Sequence, residues 1–307
     1  MTRIFVLEKL EMNDEQRRKL ENLGDVEWFD STTEKEGKER VKDADVVLID
    51  WINPNPFLDN MKTKSLLSLS STGYAWVEIK KAKERSITVT NIPSFSTEAV
   101  AEHTLGLVLS VAKKITLGDR NMRSGSKEKA NLKGFELKGK TIGIIGLGNI
   151  GKRVAEIAKG FGMNVLTYNR HQKNESGVKD VSLEDLLRTS DVVSINCPIN
   201  EDSKNMINSE KLHLMKKEAI LVGTTWNIVQ IDALVGALKN GIISGAGLDV
   251  SIEGKDLELP KELLSLDNVV VTPHIAFNTR ESDERRFDTC IENIKAFLDG
   301  KPKNVVN

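Results

Sequence analysis

The chain has 307 residues, a formal net charge of −1, two cysteines and four histidines. That length predicts two domains, each able to bury its own core, and the balanced charge excludes electrostatic steering to nucleic acid. Cys197 and Cys290 follow no disulfide or metal spacing and fit a reducing compartment, and His103, His171, His213 and His274 form no pair at metal-ligand spacing. No apolar run approaches the roughly 20 residues that span a bilayer. The chain enters a strand at Arg3, which leaves no room for a signal peptide, so a cytoplasmic protein with no membrane partner is expected.

In chain order, RIFVL (3–7) reads as a strand, Asp14–Leu23 as a helix, and VEWF (26–29), DVVLI (45–49), LLSLS (66–70) and ITVTN (87–91) as further strands. Strands alternating with helices argue a parallel, doubly wound sheet. Thr97–Lys114 is a helix long enough to link two domains, and the polar stretch Asp119–Lys133 reads as an exposed arm. A second unit opens near Lys138 with the strand Thr141–Ile145, the helix Lys152–Phe161 and the strand Asn164–Tyr168. Ser182, with Asp185 three residues on, opens another helix. The strands VVSIN (192–196), AILVGT (219–224), GAGLDV (245–250) and NVVVTPH (268–274) follow, with the helix Asp232–Asn240 among them and Arg280–Leu298 crossing back to the first domain. No internal repeat is visible along the chain.

The most specific motif is TIGIIGLGNIG (141–151), a G-x-G-x-x-G between a strand and a helix. Gly146 makes the tight turn, Gly148 admits phosphates, and Gly151 lets helix and strand pack closely. Dinucleotide binding is the reading; a glycine-rich turn without a ligand is the plain alternative.

Several blocks resemble the D-isomer-specific 2-hydroxyacid dehydrogenases: SSTGYAWVE (70–78), NIPSFSTEAVAEHTLGLVL (91–109), the run 136–170, NCPINEDSKNMIN (196–208), GAGLDV (245–250), NVVVTPHIAFNT (268–279) and ENIKAFLDGKPKNVVN (292–307). The resemblance covers almost the whole chain. It implies an α/β protein of two doubly wound parallel-sheet domains. A Rossmann-type cofactor domain (98–280) is inserted in a flavodoxin-like substrate domain (1–97 and 281–307), with the active site in the cleft between them. It further implies hydride transfer between a nicotinamide and a 2-hydroxy or 2-oxo acid, and a homodimer.

Under that resemblance His274, in TPH just past a strand end, is the proton-transfer residue. A carboxylate normally pairs with such a histidine and raises its pKa. Counting from Asp249 reaches Gly254 where the family has glutamate; a one-residue slip would let Glu253 fill the role, against an ordinary loop glutamate. The family arginine is replaced. The block reads Val222, Gly223, Thr224, Thr225, Trp226, Asn227, and it is one residue short before Ala233-Leu234. An indole has one donor and no charge where arginine offers a charged fork, and losing one positioned donor of this kind typically costs ~10²–10³ in rate. Four readings of Trp226 stay open. It stacks on an aromatic, apolar or cationic part of a different substrate; another cation (Lys113, Lys114 or Lys255) has replaced the arginine; catalysis is impaired, leaving an NAD(P)-binding regulatory or scaffolding protein; or the indole simply packs away from the cleft.

The backbone N–H groups of Tyr74 and Ala75 are implied to hold the substrate carboxylate, with Thr72 near the nicotinamide. Tyr74 and Trp76 are bulky and point to a distinctive substrate pocket, unless they are only packing. Asn149 and Ile150 match pyrophosphate positions; Cys197, Pro198, Thr224, Asp249 and Ala276 match positions lining the nicotinamide. NAD enzymes place an acid at the end of the second strand. Here Asn169 and Arg170 stand there, followed by His171 and Lys173, so NADP(H) is favoured over NAD(H); the alternative has Arg170 lying over the adenine with NAD still used.

Overall fold

The computed structural model describes residues 1–170, 177–225, 227–250 and 259–307. Its elements begin with β1 (Arg3–Val6), α1 (Asp14–Glu21), β2 (Asp25–Trp28), α2 (Glu34–Arg40), β3 (Val46–Ile49), β4 (Leu66–Leu69), α3 (Ile79–Glu84) and β5 (Thr88–Thr90). Next come α4 (Thr97–Ala112), α5 (Ile115–Arg123), β6 (Thr141–Ile145), α6 (Asn149–Gly160), β7 (Asn164–Tyr168), β8 (Lys179–Asp180), α7 (Leu183–Thr189) and β9 (Val192–Ile195). The chain ends with α8 (Ser209–His213), β10 (Ile220–Gly223), α9 (Ile231–Lys239), β11 (Gly245–Asp249), α10 (Lys261–Leu264), β12 (Val269–Thr272) and α11 (Arg280–Leu298). Two compact units result, one formed by Met1–Ser96 with Asn278–Asn307 and the other by Thr97–Phe277.

The first unit holds a five-stranded parallel sheet in the order β2-β1-β3-β4-β5. Every residue of β3 and β4 is buried, as expected of strands covered on both faces. Helix α11 packs in this unit against β4 and α1. Its buried Phe287, Cys290, Ile291 and Ile294 recur at helical spacing. Burial pushes the Cys290 thiol up to about 12, which makes it an inert packing group.

The second unit holds a seven-stranded parallel sheet in the order β12-β11-β10-β9-β6-β7-β8. The chain leaves β6 in one direction and returns at β9 in the other, so the exits of β6 and β9 flank the switch point where doubly wound sheets bind ligands. Helix α4 lies against α6, β10, β11 and β12. It stops at Ala112, and Lys114 (φ 56°) turns the chain into α5. The polar arm expected over 119–133 is thus helical as far as Arg123, because Leu117 buries a face of α5; residues 124–133 carry no helix or strand.

A repeat invisible along the chain is evident in the fold. DVVLI (45–49) and DVVSI (191–195) occupy the same place in their sheets, each next to the first strand across the switch point. In each, the leading aspartate accepts from the first N–H of that strand: Asp45 from Arg3 at 2.9 Å and Asp191 from Thr141 at 2.8 Å. Each also receives a lysine, Lys62 or Lys216, at 3.0 Å. Burial alone would raise both carboxyls, but the N–H and the lysine outweigh it and hold both below the usual aspartate range. The likeness escapes a sequence scan because it is confined to one strand and its leading acid.

Among the described residues no helix is long and apolar enough to cross a membrane, and no group of three or more His, Cys, Asp or Glu side chains could hold a metal.

Candidate functional site

The glycine loop joins β6 to α6, and each glycine is required for a different reason. Gly146 has φ +95°, and a Cβ there would lie 2.7 Å from the backbone nitrogen of Cys197. A Cβ on Gly151 would lie 2.1 Å from the Gly146 carbonyl oxygen, so only glycine lets α6 pack this close. A Cβ on Gly148 would meet nothing within 4 Å. Gly148 is the N-cap of α6 and offers no side-chain acceptor to the first turn. That turn contains Asn149, Ile150 and Gly151, so α6 presents an uncapped, electropositive end to open space. The helix starts at Asn149 rather than Lys152, which puts both predicted pyrophosphate residues within it.

Beside this end lies a cavity of about 340 Å³, walled by the glycine loop, the exit of β7 and the segment after β9. Asn169 shows why an amide stands where many dinucleotide sites have an acid. Its Oδ1 accepts from the Leu147 N–H at 2.6 Å and pins the glycine loop. Its Nδ2 is buried with no hydrogen-bond partner among the described residues, a donor that suits a ribose or phosphate oxygen. Open space at Gly148, an uncapped helix end and this donor together fit a dinucleotide. Arg170 reaches across the cavity mouth to an ion pair with Asp202. Cys197 and Pro198 form the opposite wall, and burial pushes the Cys197 thiol up, leaving it neutral.

On the same C-terminal edge of the sheet, β12 runs into His274. The residue has φ +53°, a sparsely populated conformation for a side chain of its size. Its ring meets Phe277 edge-on, with centroids 5.5 Å apart. Asp249, at the end of β11 and 1% exposed, organises this turn. One carboxylate oxygen accepts from Thr272 Oγ1 at 2.5 Å and from the Ile275 N–H at 3.0 Å; the other accepts from the Ala276 N–H at 2.9 Å. A carboxylate spent on three donors around His274 fixes the turn that carries it. His103 on α4 adds a further layer, with Nε2 3.0 Å from Thr272 Oγ1. His103 and Thr272 were not singled out from sequence, although both lie inside the family-like blocks.

In the first unit the exit of β4 carries the loop 70–76. Thr72 Oγ1 donates to the Ile92 carbonyl at 2.8 Å, and Trp76 Nε1 to the Gly73 carbonyl at 3.1 Å. Tyr74 and Ala75 are exposed. Beneath the loop, buried Arg286 donates to the Ser70 carbonyl at 2.8 Å and pairs with Asp50. This cation, also unforeseen from sequence, comes from α11, 216 residues along the chain.

Thr224 follows β10, half-buried, and Asn227 beyond it is tied down by the Asn205 N–H at 2.9 Å. Trp226 and Glu253 lie outside the described residues, as do His171, Lys173, Gly254 and Lys255. Lys114 lies at the other end of the sheet from His274. It shares a small cavity with Asp267 and Asn268, at the starting end of β12, whereas His274 follows the finishing end.

The sequence profile of the D-isomer specific 2-hydroxyacid dehydrogenase NAD binding domain matches residues 105–276. The chain is 37% identical over 306 residues to a glyoxylate reductase from Thermococcus litoralis, covering 94% of this chain and 92% of that one. Among solved structures, it resembles an acyclic imino acid reductase in complex with NADPH and D-Arg, with a TM-score of 0.89, 32% identity and full coverage of both chains. It also resembles D-lactate dehydrogenase from Escherichia coli, with a TM-score of 0.84, 28% identity and again full coverage of both. With the glycine loop, the nucleotide-sized cavity and the histidine turn on one sheet edge, these matches have a single meaning: the chain belongs to the D-isomer specific 2-hydroxyacid dehydrogenase family and is a dehydrogenase-like enzyme built around a nicotinamide-nucleotide domain.

Proposed function

We propose that this enzyme interconverts a 2-oxo acid and its 2-hydroxy acid, using NADP(H) in preference to NAD(H). One observation carries the reading: a single parallel sheet delivers the glycine loop after β6 and His274 after β12 to the same edge. When bound, the nicotinamide supplies or accepts the hydride at C2 of the substrate. In the reducing direction the His274 imidazolium gives its proton to the substrate carbonyl oxygen, and the neutral ring regains one from solvent. In the oxidising direction the neutral ring takes the hydroxyl proton. The Asp249 clamp keeps that ring in place. In the proposal, Gly148 and the first turn of α6 receive the pyrophosphate, Arg170 receives the 2′-phosphate, and Cys197, Pro198, Thr224 and Ala276 line the nicotinamide. The N–H groups of Tyr74 and Ala75 hold the substrate carboxylate, which makes the 1–97 and 281–307 segments the substrate domain. A homodimer belongs to the same proposal and is tested by light scattering.

Trp226 in place of the family arginine points to a substrate with a group that stacks on indole. It is also the observation that favours the second reading, a nucleotide-binding regulator without efficient turnover. NADPH and NADH consumption against a panel of 2-oxo acids separates the two. The panel includes aromatic and phosphorylated members and, given the imino acid reductase relative, the same acids with added amine. Turnover with any member supports the enzyme. Nucleotide binding with no turnover across the panel supports the regulator. In an active enzyme, His274→Asn lowers kcat by ~10²–10⁴ while leaving nucleotide affinity within about twofold, because asparagine also tolerates the left-handed backbone.

A further inference from the structure

The nucleotide site lacks an acid at the end of β7, yet an acid stands at its mouth. Asp202 comes from the segment after β9, lines the same cavity and pairs with Arg170. Resting on the proposed nicotinamide-nucleotide site, we infer that Asp202 is a specificity-determining residue that weakens selection for a 2′-phosphorylated nucleotide.

The turn that carries Asp202 is built to hold it. Asn200 Oδ1 accepts from the Asp202 and Ser203 N–H groups at 3.0 and 3.1 Å. Ser203, 7% exposed, accepts from the Asn200 N–H at 2.8 Å and donates to the Pro198 carbonyl at 2.9 Å. The carboxylate itself is 62% exposed and Arg170 is 64% exposed. A pair this wet contributes little to stability, so its consequence lies in what it does to a third charge. A 2′-phosphate arriving at Arg170 meets a cation already engaged, and it meets the Asp202 negative charge as well. Both effects oppose the phosphate and leave a ribose hydroxyl untouched. Asparagine at 169 removes one repulsive acid, and Asp202 restores a negative charge from the segment after β9. The result is an enzyme whose preference for NADP(H) is held down and which accepts both nucleotides.

The test is calorimetric titration of the full chain with 2′,5′-ADP and with 5′-ADP, for wild type, D202N and D202E. Two charges a few ångströms apart at a screened surface predict that D202N raises the affinity ratio of 2′,5′-ADP to 5′-ADP about fivefold. D202E keeps the wild-type ratio, and the gain in D202N fades in ~1 M salt. An unchanged ratio in D202N, or an equal change for both ligands, overturns the inference while leaving the nucleotide site standing. Failure of wild type to bind either ligand overturns the site reading itself, and the inference with it.

Discussion

The helix that follows the first strand begins differently in the two units, although both sheets are parallel and doubly wound. Helix α1 is closed by its own side chains. Asn13 Oδ1 accepts from the Gln16 N–H at 2.9 Å, and Gln16 Oε1 from the Asn13 N–H at 3.2 Å. At the neighbouring strand exit, Glu8 supplies an internal anion. One of its oxygens accepts from the N–H groups of Asp50, Trp51 and Ile52 at 2.7, 3.0 and 3.2 Å. Helix α6 has no side-chain cap, and open space surrounds Gly148. The same architecture therefore satisfies its positive backbone ends from within in one unit and offers them to an outside anion in the other. Fold alone does not make a nucleotide site; the residues at the strand exit do.

The strongest way to break this comparison is Gly146→Ala. A side chain there combines a positive φ with a clash against Cys197, and the cost is about 2–4 kcal/mol of stability with loss of nucleotide binding. Denaturant unfolding of the variant checks it; full stability would mean that the loop has an alternative path. Next is Glu8→Ala, which strands three donors and costs about 1.5–3 kcal/mol. Nucleotide affinity is unchanged, and added sulfate recovers part of the lost Tm in the variant but not in wild type. Recovery in both would show that the anion acts elsewhere.

The matched aspartates sharpen the comparison further. Both carboxyls sit below the usual value of 3.8, so the native state binds fewer protons there than the unfolded chain. Their stabilisation is fully present above that value and is lost below it, as pH falls through the lowered native values. Asp45→Asn and Asp191→Asn each cost about 1 kcal/mol near neutrality, and the gap to wild type closes in unfolding curves taken at acid pH. A gap that widened on acidification would contradict the assigned direction. The smallest effect on stability belongs to Gly148→Ala, less than about 0.5 kcal/mol, because its Cβ meets nothing. Its nucleotide affinity nevertheless falls about tenfold or more, since in the proposed site the methyl group stands where the phosphates are received. Unimpaired binding would move the phosphates away from this helix end.

Much of this protein is written in local chemistry. Alternating strands and helices, the 141–151 glycine spacing and the TPH ending at His274 depend on neighbours in the chain, so the doubly wound class, the nucleotide loop and the candidate acid–base residue are legible from sequence. The groups that hold them are not. Asp202 faces Arg170 from 32 residues away, His103 reaches Thr272 across 169, and Arg286 supports the Ser70 loop across 216. No periodicity encodes such meetings, because they arise only when the folded sheets and the helices packed on them bring distant residues together. The paired DVV strands were equally hidden, since their likeness lies in what each aspartate bonds rather than in a repeated length of chain. Sequence determined which backbone ends were available and closed the one whose cap is local, Asn13 with Gln16; tertiary structure decided the rest, bringing Glu8 to the N–H groups of Asp50, Trp51 and Ile52 and leaving space at Gly148, because a donor without a local cap is settled by whatever acceptor the fold places beside it.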